Sequence, residues 1–382
     1  MLPNSTKKSK VTIRAMLIGV LLIPINCFWH IQMTLVWLMN FPAILTFLFN
    51  VIFILFILVL INQLLKTYIP KVTLQQGELL TIYTMLCVST ALSGYDMMQC
   101  LISLIGSGTW YATSENEWIE LFGHYLPSQL VIKDHAILAP FYEGGTTFYI
   151  TEHVQAWLVP IVCWIVFIII LIWIMLCINV LLRKQWIENE RLAYPIVELP
   201  FNMTKEGERS IFSNQLVWIG IAISGGTGLL NGISYLYPSV PNIPIWVTSV
   251  NHLVTTNPWN AIFSMHITLY PFVIGLGFLM PLSLAFSYWS FYLFWQMQRI
   301  VGSQFGLLNL LGFPAPMAQV RGVWIGLLIF AIWGGRQHLS QVLRKSLTGQ
   351  GIDDSREPME YRRAILGIWH RDECHSRILS FI

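Results

Sequence analysis

"VQAWLVPIVCWIVFIIILIWIMLCINVLL", residues 154–182, contains no Asp, Glu, Lys or Arg. About 20 apolar residues cross the hydrocarbon core of a bilayer as a helix, so this stretch is long enough to span it alone. It has company. Residues 41–65 are also free of those four residue types, and so is everything from Ser210 to Gln298. The whole chain of 382 residues is 55% hydrophobic and only 11% charged, against roughly 25% charged in soluble domains. No soluble core could hide so much apolar surface. In lipid, where each backbone N–H and C=O needs an internal partner, helices satisfy the demand within one segment. The chain therefore reads as an all-α, polytopic transmembrane helical bundle.

Working outward, candidate spans fall at about 15–37, 41–65, 79–106, 154–182, 212–236 and 263–298, with shorter apolar pieces at 303–314 and 322–334. The 263–298 stretch is too long for one straight crossing, and Pro271 and Pro281 predict a kinked or broken helix. The total is about seven or eight, some of them kinked or re-entrant. A transmembrane domain over 1–335 and a cytoplasmic polar tail over 336–382 are the expected divisions.

Lysine and arginine orient the chain. Lys7, Lys8, Lys10 and Arg14 precede the first span, Lys66 and Lys71 follow the second, Arg183, Lys184 and Arg191 follow the fourth, and Arg299 follows 263–298. The 107–153 loop has only Lys133, and 237–262 has no basic residue. A cell-membrane protein with a cytoplasmic amino terminus satisfies this pattern, provided 303–320 makes a short return. "KKSKVTIRAMLIGVLLIPINC" has the form of a signal peptide but lacks a small-x-small cleavage site, so an uncleaved first helix is expected. The cysteines form no CxxC pair and read as packing residues.

The outer loop carries Glu115, Glu117, Glu120, Asp134, Glu143 and Glu152 with His124, His135 and His153, in no spacing that matches a metal ligand set. A solvated acidic cap is expected, with a turn at Gly144-Gly145. No metal and no cofactor is implied. Walker A, HExxH and GxSxG motifs are absent, and no nucleophile, base and orienter set can be assembled, so an enzyme or primary pump is not expected.

Two places could carry chemistry. Asp96 interrupts "LCVSTALSGYDMMQCLISLIGSG" (86–108). In one helix over 79–106 it would lie about 27 Å from the inner end and about 15 Å from the outer, within the hydrocarbon. An ionised carboxylate there costs at least ~2.5–3.5 kcal/mol, so it should face a partner or a wet cavity. Ser93-Gly94 would loosen the helix beside it; otherwise the helix ends there and Asp96 caps a second one. The other place is "RLAYPIVELPFNM" (191–203), with Glu198 between Pro195 and Pro200, too short to cross and too apolar for a free loop. It reads as re-entrant or as an interfacial turn. Asp96 and Glu198, with Tyr95 and Tyr194 beside them, are the candidates for substrate or ion coupling. Asn231, in the glycine-bearing "GIAISGGTGLLNGISY", joins them as a residue able to hydrogen-bond across helices. His30 and His266 read as packing residues.

"NERLAYPIVELPFNM", "FLMPLSLAFSYWSFYLFWQMQRIVGSQFG" and "GVWIGLLIFAIWGGRQHLSQVLRKSL" resemble a family of large prokaryotic membrane proteins of unknown function, distantly similar to the oligopeptide transporter superfamily. The resemblance implies a many-helix secondary carrier with short broken helices, taking small solutes such as peptides or metal chelates. The Asn-Pro-Gly motif of eukaryotic oligopeptide transporters is absent. The partners expected are the lipid bilayer and a small-molecule substrate. Self-association into a homo-oligomer is left open, and nucleic acid is not expected because the basic residues lie in loops and tails. The family it resembles continues with further spans after "YRRAILG", where this chain has the charged "IWHRDECHSRILSFI" (368–382). That change predicts a truncated carrier with weak transport, against the alternative of a naturally short protein with an amphipathic tail. The competing reading of the whole is a non-transporting scaffold or a subunit of a larger membrane assembly.

Overall fold

A computed structural model describes residues 11–37 and 48–368, apart from 146, 148, 191–193, 206–210, 244–247, 250, 263, 264, 268, 269, 311, 312 and 356. The lysines before Val11, residues 41–47 of the second expected span, and the charged end at 369–382 lie outside these, as does Arg191. The described chain is helical: α1 (Ile13–Ile31), α2 (Phe49–Tyr68), α3 (Gln76–Ser93), α4 (Cys100–Trp110), α5 (Trp118–Leu121), α6 (His135–Glu143), α7 (Thr151–Lys184), α8 (Pro195–Met203), α9 (Gln215–Leu236), α10 (Pro271–Leu279), α11 (Leu282–Gln304) and α12 (Pro316–Thr348). A single two-stranded pairing, β1 (Thr248–Ser249) antiparallel to β2 (His266–Ile267), is the sheet content among the described residues.

Six helical segments there are long and apolar enough to cross a membrane: 13–36, 49–68, 76–110, 151–189, 215–236 and 316–348. At 23 residues α11 has the length, but Ser283, Ser287, Ser290, Gln296 and Gln298 lower its apolar content. Pro271 opens α10 and Pro281 caps α11, so the long 263–298 run is broken where its prolines stand. Among the described residues after α11, which ends at Gln304, a 3₁₀ turn at Leu307–Asn309 leads toward α12. The expected division after residue 335 falls inside α12, which continues to Thr348.

The chain forms two compact units, 1–91 with 193–325 and 92–192 with 326–382. In the first, α1, α2 and α3 enclose a core of Ala15, Val51, Leu55, Val59, Leu74, Leu79, Ile82 and Leu86. One end is tied by a buried carboxylate. Glu78 in the first turn of α3 accepts from Arg14 (2.8 Å), Thr12 Oγ1 (2.5 Å) and the Gln75 amide (2.8 Å). Arg14 also donates to the carbonyls of Val72 and Thr73. Gly19 lets α3 approach, since a Cβ there would fall 2.6 Å from Met85 Sδ.

In the second unit the 107–153 loop is folded rather than merely solvated. Leu138 of α6 seats on Gly106 of α4 with no room for a Cβ between them. Ile105, Ile132 and Trp157 complete that core. Trp110 stacks on Tyr142 (5.0 Å) and His135 (4.2 Å). Tyr142 donates to the Ser103 carbonyl (2.6 Å) and Trp164 to that of Leu130 (3.0 Å). The loop's acidic residues Glu115, Glu117, Glu120, Asp134, Glu143 and Glu152 do stay exposed. Gly144 and Gly145 both have positive φ and turn the chain after α6.

At 34 residues, α7 runs roughly 50 Å, well beyond a 30 Å hydrocarbon core. Its far end holds the segment after α12. Cys177, Val180, Val342, Tyr361 and Ala364 pack together. Arg183 pairs with Glu357 (2.9 Å), Lys184 donates to the Asp353 carbonyl (3.1 Å), and His338 Nε2 lies 2.8 Å from the Leu181 carbonyl. The charged stretch 351–368 is therefore anchored on α7.

Candidate functional site

The most polar interior of the first unit lies among its most apolar helices. Asn26, His30 and Thr34 recur every four residues along α1 and the π-helical turn that extends it, which places them on one face. They are 0–1% exposed. Opposite them, Asn50 opens α2 and Ser89 and Thr90 close α3. Asn26 Nδ2 donates to Thr90 Oγ1 (2.8 Å), Ser89 Oγ (3.0 Å) and the Leu86 carbonyl (3.4 Å). Asn50 Nδ2 donates to Asn26 Oδ1 (2.9 Å) and Thr90 Oγ1 (3.0 Å). Asn50 Oδ1 is buried and accepts no hydrogen bond among the described residues. The group is neutral and rich in amide and hydroxyl dipoles, chemistry suited to holding a water, a cation or a polar solute rather than to breaking bonds. In hydrocarbon such groups are costly unless paired, and they mark pathways or specific helix contacts.

None of this network was singled out from sequence as a site. The signal is there in retrospect, as isolated polar residues at four-residue spacing inside an apolar run. His30 read as packing, and its side chain is fully buried on the same face of α1 as Asn26.

The sequence candidates divide between the units. In the second, α3 ends at Ser93, Gly94 is extended (ψ 166°), and Tyr95–Gln99 forms a π-helical turn before α4. The expected irregularity is present. Gln99 Nε2 donates to the Ser93 carbonyl (3.0 Å), satisfying a group the break releases. Asp96 stands exposed in the first turn of that π segment and does not cap it, since Gly94 is the residue at the cap position. Tyr95 is likewise exposed. Single π turns within helices recur at functional positions.

In the first unit, Tyr194 precedes α8 and Glu198 stands exposed on it. With nine residues, α8 is about 14 Å long and cannot cross a bilayer. It packs against α2 and α10. Asn231 has a different occupation from the expected bond across helices. It holds the loop after α9, donating to the Ile243 carbonyl (2.9 Å) and accepting from the Ile243 amide (2.8 Å). The glycines beside it, Gly220, Gly225, Gly226, Gly228 and Gly232, face open space. His266 lies in β2. Among the described residues, no three His, Cys, Asp or Glu side chains gather closely enough to hold a metal.

Length, apolarity and all-helical build define an integral membrane protein with several spanning helices. The chain belongs to a family of unknown function, DUF6785, whose pattern matches residues 5–370. No curated protein and no solved structure shows significant similarity to it.

Proposed function

We propose that this chain is a secondary carrier for a small solute, built with the broken helices of oligopeptide-transporter-like proteins. The observation that carries the reading is the interruption of the 76–110 span at Gly94, with a carboxylate set in the break. Carriers form their sites from discontinuous helices, because freed backbone groups and a charged side chain both require a polar surrounding. The buried asparagine and hydroxyl network supports the same reading by putting neutral polar groups inside apolar helices. In this reading Asp96 couples a proton or cation to transport, Glu198 is the second candidate, and the amino terminus is cytoplasmic. The test is uptake into proteoliposomes across a panel of peptides, metal chelates and amino acids, under an imposed proton or sodium gradient. Asp96→Asn should keep the unfolding midpoint and lose gradient-driven uptake. Uptake that is unchanged in Asp96→Asn, or absent from the parent over the whole panel, overturns the proposal.

A second reading has its own observation. Among the described residues, the apolar spanning windows of α9 and α12 bury none of their residues, and the glycines of α9 meet no neighbour. A subunit of a larger assembly would use those faces against a partner. A monomeric particle in nanodiscs that still transports removes this reading.

A further inference from the structure

Contacts at opposite ends fix how the α10–α11 hairpin stands in the first unit. Gln76, opening α3, donates to the Phe201 carbonyl (3.2 Å) and to Thr204 Oγ1 (3.3 Å). That holds α8 at the end of the unit where α2 stops and α3 starts. α10 packs on α8, and α11 follows it after Met280 and Pro281. The far limb of the hairpin is held elsewhere. Arg299 Nε, near the end of α11, donates to the Ala261 carbonyl (3.0 Å), and Ser303 Oγ donates to Asn257 Oδ1 (3.4 Å). From Leu282 to Arg299 the helix rises about 26 Å. Arg299 and the 237–262 loop therefore share one end of the unit, opposite to Lys71 and Gln76. The distribution of basic residues alone puts Arg299 on the side of Lys66 and Lys71; the Ala261 contact separates them.

Between Ala261 and Leu282 the chain must come back along that height. With nine residues, α10 covers about 14 Å of it, so at least about 12 Å is left to the stretch 262–270. An extended chain advances about 3.3 Å per residue, which makes the stretch long enough. Its described residues, Ile262, Met265, His266, Ile267 and Tyr270, are all non-helical. Met265 and Ile267 are 40% and 56% exposed, so the described chain does not cover them. Beside this stretch α11 is uncharged from Leu282 to Gln298 and, at 23 residues, long enough to cross a bilayer. The irregular backbone therefore lies at membrane depth. Hydrocarbon offers no partner to peptide groups, and non-helical backbone persists there only when it is buried in protein or faces water.

We infer that the stretch between Ala261 and α10 lines a water-filled vestibule, open on the side of the 237–262 loop, that admits water and small hydrophilic solutes into the membrane. Tyr270, the last residue before α10 and partly exposed, stands at its floor. It lies at least about 12 Å below the level of Arg299, as deep as Phe291 on α11. The vestibule holds water whether or not the chain transports a solute, so it stands apart from the carrier reading.

The test compares two residues at one depth. Hydroxyl-radical footprinting of the unaltered full chain in nanodiscs should oxidise Tyr270 and spare Phe291, whose 69% exposed side chain meets lipid. Thiol labelling adds direction. In a chain whose six cysteines are replaced by alanine, a charged, membrane-impermeant methanethiosulfonate is applied to each side of sealed membrane vesicles. Thr256→Cys, Tyr270→Cys and Phe305→Cys should react from one side, Lys71→Cys from the other, and Phe291→Cys from neither. Footprinting needs no substitution, so it decides the matter if a cysteine variant fails to fold. Modification of Phe291 as strong as that of Tyr270 would place both outside the membrane. Protection of Tyr270 would place it in protein or lipid. Reaction of Phe305→Cys from the side of Lys71→Cys would reverse α11. Any one of these results overturns the inference.

Discussion

Replacing Asn26 and Asn50 by leucine, singly and together, tests whether the buried polar network holds α1, α2 and α3 together. Leucine is close to asparagine in size and suits the apolar surroundings, so the substitutions report on hydrogen bonding more than on cavities. Asn26 makes three short contacts, to Thr90, Ser89 and Asn50, and a long one of 3.4 Å to the Leu86 carbonyl. Intramembrane side-chain hydrogen bonds average about 0.6 kcal/mol and reach about 1.7. Asn26→Leu should therefore cost about 2 kcal/mol. Asn50 loses only two bonds, and its removal also relieves an Oδ1 that is buried with no partner among the described residues. A stranded acceptor costs about 1–3 kcal/mol, but Asn50→Leu removes one and strands another, Asn26 Oδ1, so it should cost only the two lost bonds, about 1 kcal/mol. The direct Asn26–Asn50 bond should appear in the double-mutant cycle as a coupling of about 0.6 kcal/mol. Unfolding by SDS in mixed micelles, with helicity as the signal, gives the free energies. An Asn50→Leu loss as large as that of Asn26→Leu would show that Oδ1 is satisfied in the membrane by a bound molecule. Strictly additive costs would refute the network itself.

Tyr361 is fully buried in the contact between 351–368 and α7, and its hydroxyl has no hydrogen-bond partner among the described residues. Tyr361→Phe should leave the unfolding midpoint unchanged or raise it; a fall of several degrees would show an unseen partner. Burial, then the nearby carboxylates of Glu357, Asp354 and Glu188, push its ionisation from the ordinary 10.0 up to about 12. Because the folded state favours the neutral phenol, the associated stability is whole below pH 10 and is lost as pH rises through about 12. Unfolding midpoints measured along that alkaline limb should fall less steeply in Tyr361→Phe than in the parent. Gly106→Val would drive a side chain into Leu138, at about 1–3 kcal/mol. Protease cleavage in 118–143 should rise, while Gly108→Ala, whose nearest neighbour is 3.3 Å away, should change it little. A thiol probe at Ser114 should react from outside intact cells and one at Lys205 should not; the reverse labelling would invert the proposed orientation.

How much of this was legible in the sequence follows from the range of the forces involved. Spanning helices depend on local apolarity and on backbone groups that must be satisfied within one segment, so 154–182 declares itself without knowledge of its neighbours. The breaks at Ser93-Gly94 and at Pro271 and Pro281 are local too, since each follows from what one residue does to its own backbone. The 303–314 piece, read as a short apolar return between spans, has the apolarity of a packed turn: Phe313 folds onto Gly302, where a Cβ would have no room. The polar tail was legible as polar and no further. Its charges gave no hint that Arg183 and Lys184 would receive Glu357 and the Asp353 carbonyl from some 170 positions away.

The candidate residues show the same division more sharply. Asp96 is conspicuous in sequence because a carboxylate is rare in such a run, yet it stands exposed on its helix. Asn26, Asn50 and Thr90 are unremarkable one at a time. Only packing α1 and α2 against α3 makes them a network, with bonds that join residues 24 to 64 positions apart.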